Sequence, residues 1–268
     1  MRLLVAGGDR VDAGKTTFAV GLAARLDDAL AVKPRAGNDL WFDHDDARTA
    51  LERGRLYGKD VARLTNATDD GPPETHNPVH RLWRPTPGRT GLLGERGRTF
   101  LLDRVRIGDE DRFVVNDRID LPELVCESLP LADAPRVDSV AGFNELMADW
   151  HLDAFARLRD RVRAADRPVV VESYANVADP LQDVAYDAVA VVEPTRCRVY
   201  DGRRWGIACD AVEDRTDGQL EERVGKLTGR LEPVATHVLD PLPGAVREAP
   251  ERVAAANAGA YDALLAAV

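Results

Sequence analysis

Three stretches of this chain have residue types and spacings that suit phosphate chemistry. The first is Gly7-Gly8-Asp9-Arg10-Val11-Asp12-Ala13-Gly14-Lys15-Thr16-Thr17, directly after the apolar run Leu3-Leu4-Val5-Ala6. A strand that breaks into a glycine-bearing loop and then into a helix aims backbone N–H groups, the positive helix end and a lysine at one small volume, and that volume suits a polyphosphate. Five residues separate Gly8 from Gly14, one more than the plain G-x-x-x-x-G-K-[ST] pattern holds. The second is Lys33, at the carboxyl end of an apolar stretch closed by Pro34; in doubly wound sheets ligands bind at that edge. The third is Pro168-Val169-Val170-Val171-Glu172, a β-branched run typical of a strand buried on both faces, ending in an acid placed to hold magnesium or its waters. A fourth stretch, residues 35–46, carries Asp39, Asp43, Asp45 and Asp46. Close carboxylates repel unless solvated, capped or neutralised, so it reads equally as a magnesium site or as a solvated surface run. His44 within it reads as a hydrogen-bonding loop residue.

The elements that must position these groups follow from periodicity and breakers. A helix over 15–26 repeats Phe18, Leu22 and Leu26 on one face, and 29–33 reads as the second strand. Residues 35–46 read as loop, 47–53 as a helix capped by Asp45 or Asp46, and 59–65 as a short helix. Residues 69–97, with prolines at 72, 73, 78, 85 and 87, read as an irregular binding loop or lid. Strands over 99–107 and 112–116 form a hairpin expected at a sheet edge, and the clearest helix lies within 135–163. Residues 188–192 read as a buried strand. Residues 196–200 and 205–209 read as strands flanking a turn at Asp201-Gly202. A helix over 220–227, a strand over 234–239 and a helix over 250–267 complete the chain.

Composition narrows the partners. The net charge of −10 is a poor match for nucleic-acid phosphates, so no nucleic-acid partner is expected. No apolar run of about 18 residues exists to span a bilayer, so the expectation is no membrane association and a cytoplasmic location. Cys126, Cys197 and Cys209 lack Cys-x-x-Cys spacing, which argues against a disulfide framework and a zinc site and for buried thiols. Of 36 basic residues only Lys15, Lys33, Lys59 and Lys226 are lysines. This acidic, arginine-rich make-up resembles that of salt-adapted proteins. With lysine so rare, Lys15 and Lys33 at loop positions after strands stand out.

With these residues in hand, the chain resembles the dethiobiotin synthetase family and, more loosely, the ATPase domains of cobyrinic acid amidotransferases. Residues 8–16 resemble the family's phosphate loop, with Asp12 where an acid often stands. Lys33-Pro34 followed by Gly37 is similar to the segment whose lysine meets the substrate's carbamate, and Asp46-Ala47 to the pair whose aspartate binds magnesium. Asn77-Pro78, with Pro85 beyond, resembles a mid-chain asparagine-proline segment. Val170-Val171-Glu172 resembles the strand whose glutamate holds magnesium. The resemblance implies an α/β fold of the P-loop NTPase type, a mostly parallel sheet flanked by helices with an antiparallel hairpin insertion. It implies one domain over 1–268 with a loop-rich insertion around 69–135. It implies that Gly8, Asp12, Ala13, Gly14, Lys15, Thr16 and Thr17 bind ATP, with Lys15 on the β and γ groups and Thr17 near the α group. Thr16, Asp46 and Glu172 would then hold Mg2+, and Lys15 and Lys33 would be the catalytic residues. The family's glycines are replaced by Ser173-Tyr174-Ala175-Asn176, whose side chains would fill the space used there by a diamine substrate. The expected activity is therefore Mg-ATP-dependent phosphoryl transfer or ligation that activates a small carboxylate-like acid. The alternatives are a nucleotide-switched regulatory or assembly ATPase or GTPase acting as a dimer, and a small-molecule-binding module without catalysis. A homodimer is left open in either case.

Overall fold

The structure is a computed structural model and describes residues 1–8, 14–68, 71–211 and 223–268. Its strands in chain order are β1 (Arg2–Gly7), β2 (Leu30–Val32), β3 (Arg35–Asp39), β4 (Val79–Thr90), β5 (Arg96–Ile107), β6 (Glu110–Asn116), β7 (Arg136–Val137), β8 (Val169–Glu172), β9 (Ala188–Glu193), β10 (Arg196–Asp201) and β11 (Ala235–Val238). Its helices are α1 (Lys15–Arg25), α2 (His44–Leu51), α3 (Lys59–Thr68), α4 (Pro73–His76), α5 (Glu123–Ser128), α6 (Val140–Ala164), α7 (Gly202–Ala211), α8 (Val224–Thr228), α9 (Gly244–Arg247), α10 (Pro250–Ala256) and α11 (Ala258–Leu265). Where the sequence predicts one domain with an insertion, the chain divides into two compact units. The first comprises Met1–Pro34, Arg63–Gly71 and Arg159–Val268, and the second Arg35–Ala62 and Pro72–Leu158.

The first unit holds a six-stranded sheet in the order β11-β10-β9-β1-β8-β2. Strands β9, β1, β8 and β2 run parallel, while β10 is antiparallel to both β9 and β11. Apolar residues without alternation make β1, β8 and β9 strands that are covered on both faces. On one face Leu3, Val5, Val170, Ala190 and Val192 pack against Phe18 and Leu22 of α1 and Leu264 of α11. Tyr261 locks this layer, its hydroxyl donating to the Phe18 carbonyl at 2.9 Å. On the other face Tyr200, paired with Val189, brings its ring within 5.3 Å of Trp205 on α7. The result is an α/β fold with a mixed sheet whose parallel strands are flanked by helices.

β8 lies between β1 and β2. Two sequence expectations change here. Residues 205–209 are helical: the Asp201 carboxylate accepts the Arg204 N–H at 2.8 Å and caps α7 instead of turning a hairpin. The helix expected over 250–267 breaks at Asn257, whose ψ of 15 is non-helical. Of the helix expected over 220–227, residues 220–222 lie outside the described residues, and the remainder is α8.

The second unit holds a five-stranded sheet in the order β3-β4-β5-β6-β7. Its hairpin β5-β6 lies inside the sheet and not at an edge. Two segments read as loop are strands: β3 emerges from residues 35–46, and β4 from the proline-rich 69–97 region. Pro85 and Pro87 are tolerated because β3 pairs with β4 only as far as Trp83, leaving an edge where their missing N–H groups are not needed. Between β4 and β5 the register shifts after Leu82, so that Leu101 and Leu102 both enter the core cluster with Leu51 and Val125 of α2 and α5. Trp83, Phe100 and Val105 pack with Phe143 and Met147 of α6.

Among the described residues no helix is long and apolar enough to cross a membrane. All three thiols are free, and Cys126 is exposed where a buried thiol was expected. Burial, followed by the charge of Glu193, pushes the Cys197 thiol up to about 12.

Candidate phosphate and metal site

β1 delivers the chain to Gly7 and Gly8, and the Gly8 N–H donates to the Val192 carbonyl of β9 at 3.0 Å. Asp12 and Ala13, two of the residues expected to bind nucleotide, lie outside the described residues. Gly14 caps α1 with φ 85, a left-handed conformation open to glycine without a side-chain clash. Lys15 is the first helical residue, and its side chain folds back over Gly7. A Cβ on Gly7 would stand 2.7 Å from both Lys15 Cδ and Nζ and 3.0 Å from the Ala175 carbonyl oxygen. A side chain at Gly7 would therefore displace Lys15 from its folded-back position. Thr16 and Thr17 follow, half-buried, on the first turn of α1.

Glu172 ends β8 and is fully buried. Thr16 Oγ1 donates to its Oε1 at 2.6 Å, and Lys33 Nζ donates to the same oxygen at 2.8 Å. Lys33 Nζ also reaches Thr16 Oγ1 at 3.5 Å. The physical reason is the strand order: β8 pairs in parallel with both β1 and β2, with Glu172 opposite Val5 and Val171 opposite Val32. The carboxyl ends of three adjacent strands therefore meet. Glu172 Oε2 is buried and has no hydrogen-bond partner among the described residues. A hydroxyl and a carboxylate with an unsatisfied buried oxygen are hard donors of the kind Mg2+ takes when phosphate and water complete its shell.

Asp46, expected as a third metal ligand, is on α2 in the second unit, where it stands 3.7 Å from Lys59 Nζ. Among the described residues no group of three or more His, Cys, Asp or Glu side chains is arranged to hold a metal ion. The acids around Asp46 do crowd one another. The Asp43 carboxyl is raised above its ordinary value, first by burial, with the nearby charges of Asp46, Asp39 and Asp60 adding to it and a backbone bond from Asp39 opposing it. His44, expected in a loop, is the first residue of α2, where its Nδ1 bonds the Leu40 carbonyl at 3.2 Å; the N-cap is Asp43 and not Asp45 or Asp46, because the helix starts earlier than expected. Asn77 is buried in the second unit, where its carbonyl and Oδ1 accept from Arg104 Nη2 at 2.6 and 3.2 Å.

The segment after Glu172 departs from expectation. Ser173, expected to project toward substrate, is fully buried and its hydroxyl donates to the Val177 carbonyl at 2.5 Å. Ala175 takes φ 47, a left-handed conformation that glycine adopts more readily. Its carbonyl is the one facing Gly7. Asn176 Oδ1 accepts from Arg223 Nη1 at 2.7 Å.

One residue of this edge, Glu193, escapes the sequence reading. A Cβ on Gly8 would overlap Glu193, which closes β9 as Glu172 closes β8. Arg196 and Arg198 each grip Glu193 through two nitrogens, at 2.7 to 3.2 Å. Burial raises the Glu193 carboxyl, but these bonds outweigh it and hold the group below the ordinary carboxylate range. The signal was present as an acid ending an all-apolar strand. At Gly7, part of the loop motif, only the close approach of Lys15 needed the structure. Against protein-family models, curated proteins and solved structures, the chain finds no match.

Proposed function

We propose that the first unit is a Mg-ATP-dependent enzyme of the dethiobiotin synthetase-like P-loop type, activating a small carboxylate-like acid by phosphoryl transfer. The observation that carries this reading is the 2.6 Å contact between Thr16 Oγ1 and Glu172 Oε1, groups 156 residues apart in sequence. Both stand where β1 and β8 end and α1 begins, and the start of a helix supplies backbone N–H groups. In this reading the loop amides and Lys15 bind the β and γ phosphates and stabilise the charge that develops in transfer. Thr16 and Glu172 hold magnesium, which supplies charge neutralisation when bound. Lys33, at the same strand edge, orients the anionic acceptor in line.

Lys15→Ala tests the reading. Calorimetric titration with Mg-ATP in concentrated salt should show affinity at least about tenfold below that of the unaltered protein. ATP cleavage stimulated by a panel of small carboxylic acids should disappear in the variant. Equal affinity and equal cleavage in both proteins would remove the assignment.

A further inference from the structure

Lys33 is tied to Glu172 more closely than an acceptor-binding lysine needs to be. Its ammonium is 2.8 Å from Glu172 Oε1 and 3.5 Å from Thr16 Oγ1, and those two oxygens are themselves in contact. Both Lys33 and Glu172 are buried. One positive group thus bridges the hydroxyl and the carboxylate read above as the magnesium-holding pair, through Oε1 of the latter. We infer that Lys33 is a tethered counter-cation: without nucleotide its ammonium occupies the position of the divalent ion, and metal loading and release of Lys33 are a single event. The inference rests on the proposed reading of Thr16 and Glu172 as the metal-holding pair.

A Mg2+ ion sits about 2.0–2.1 Å from its oxygen ligands, so an ion held by Glu172, whether on Oε1 with Thr16 Oγ1 or on the unsatisfied Oε2 of the same carboxylate, would lie close to the ammonium already bonded to that group. Like charges at contact distance in a buried site, where screening is weak, repel strongly. Bridging through a water does not avoid this, because the ammonium already cancels the carboxylate charge that would draw the metal in. A buried carboxylate that must await its metal needs a counter-charge meanwhile, and Lys33 provides one that can leave on a flexible stem. Released, the same ammonium is free for an anionic acceptor only after the metal has arrived. That orders the site: metal and nucleotide first, acceptor second.

The test uses Mn2+ without nucleotide. In the unaltered protein, electron spin resonance of free Mn2+ should show weak binding, and the thermal midpoint should be nearly independent of Mn2+. Lys33→Met should bind Mn2+ at least about tenfold tighter. Its midpoint should be depressed in chelator and rise with added metal. Adding Glu172→Gln to Lys33→Met should abolish the metal-dependent rise. Unchanged Mn2+ affinity in Lys33→Met would overturn the inference even if ATP binds normally. Tighter Mn2+ binding with no ATP binding in any protein would instead sink the proposed function and keep the counter-cation. Should Lys33→Met not fold, amine acylation of the unaltered protein decides, because it has four lysines to resolve by mass. With exposed Lys59 as the internal reference, Lys33 should be protected in chelator and become reactive with Mg2+ and ADP; protection in both states overturns the inference.

Discussion

Two buried carboxylates, one in each unit, are satisfied in opposite ways. Asp103 of β5 is fully buried and both its oxygens are taken by Arg81, from Nε at 2.6 Å and Nη2 at 2.5 Å. His151 Nε2 stands 3.7 Å away, and the Arg81 guanidinium lies about the rings of Trp83, Phe100 and Phe143. Glu172 of β8 is equally buried, yet one of its oxygens takes both Thr16 and Lys33 while the other has no partner among the described residues. A bidentate arginine pair uses all the directional capacity of a carboxylate and fixes it. A carboxylate with a spare buried oxygen is incomplete. The difference separates an ion pair that closes on itself from one that leaves a buried oxygen without a hydrogen-bond partner among the described residues.

The largest test of this contrast is Asp103→Ala. It would remove the buried acceptor of two Arg81 nitrogens, and should lower the unfolding free energy by about 1.5–3 kcal/mol in urea titration. A loss under about 1 kcal/mol would make the Asp103 pair no more structural than a surface bridge. The second test uses pH. Burial, then the charges of Arg35 and Arg81, hold the His151 imidazole well below its ordinary value and therefore neutral. The unfolded chain takes up a proton near the ordinary value of 6.5 while the folded chain refuses it. Stability contributed by this group is complete above that pH and is lost as pH falls beneath it, by at most about 1.4 kcal/mol per pH unit. Between pH 7 and pH 5 the unaltered protein should therefore lose about 1–2 kcal/mol more than His151→Gln; equal losses would place His151 outside the closed cluster. The smallest effect belongs to Ala175→Gly beside the open site. Relief of the left-handed backbone, set against greater freedom in the unfolded chain, should raise stability by less than about 1 kcal/mol. A lowered thermal midpoint would show that the Ala175 methyl contributes packing not evident from its backbone strain.

How legible these regions were differs for a physical reason. Strand β8 and helix α1 declare themselves through continuous apolar residues and a four-residue repeat, and both appear within a residue or two of the expected bounds. β3 does not, because Arg35-Ala36-Gly37-Asn38-Asp39 has no hydrophobic run and becomes a strand by pairing with β4. α7 was hidden for another reason. Asp201-Gly202 suits a hairpin turn and a helix start equally, and burial of Trp205, which donates to the Ala178 carbonyl at 2.9 Å, accompanies the second outcome. Asp103 was not singled out at all: its role depends on Arg81, 22 residues away on the neighbouring strand.

The amino-acid sequence by itself determined the glycine loop with its lysine and threonines, the apolar strand ending in Glu172, and the acidic, lysine-poor composition. Each is a local pattern of residue type and spacing. Only tertiary structure decided that β8 lies between β1 and β2, and hence that Glu172 meets Thr16 and Lys33, which stand 156 and 139 residues away. Strand order is set by how whole faces bury one another, and local periodicity carries no record of it.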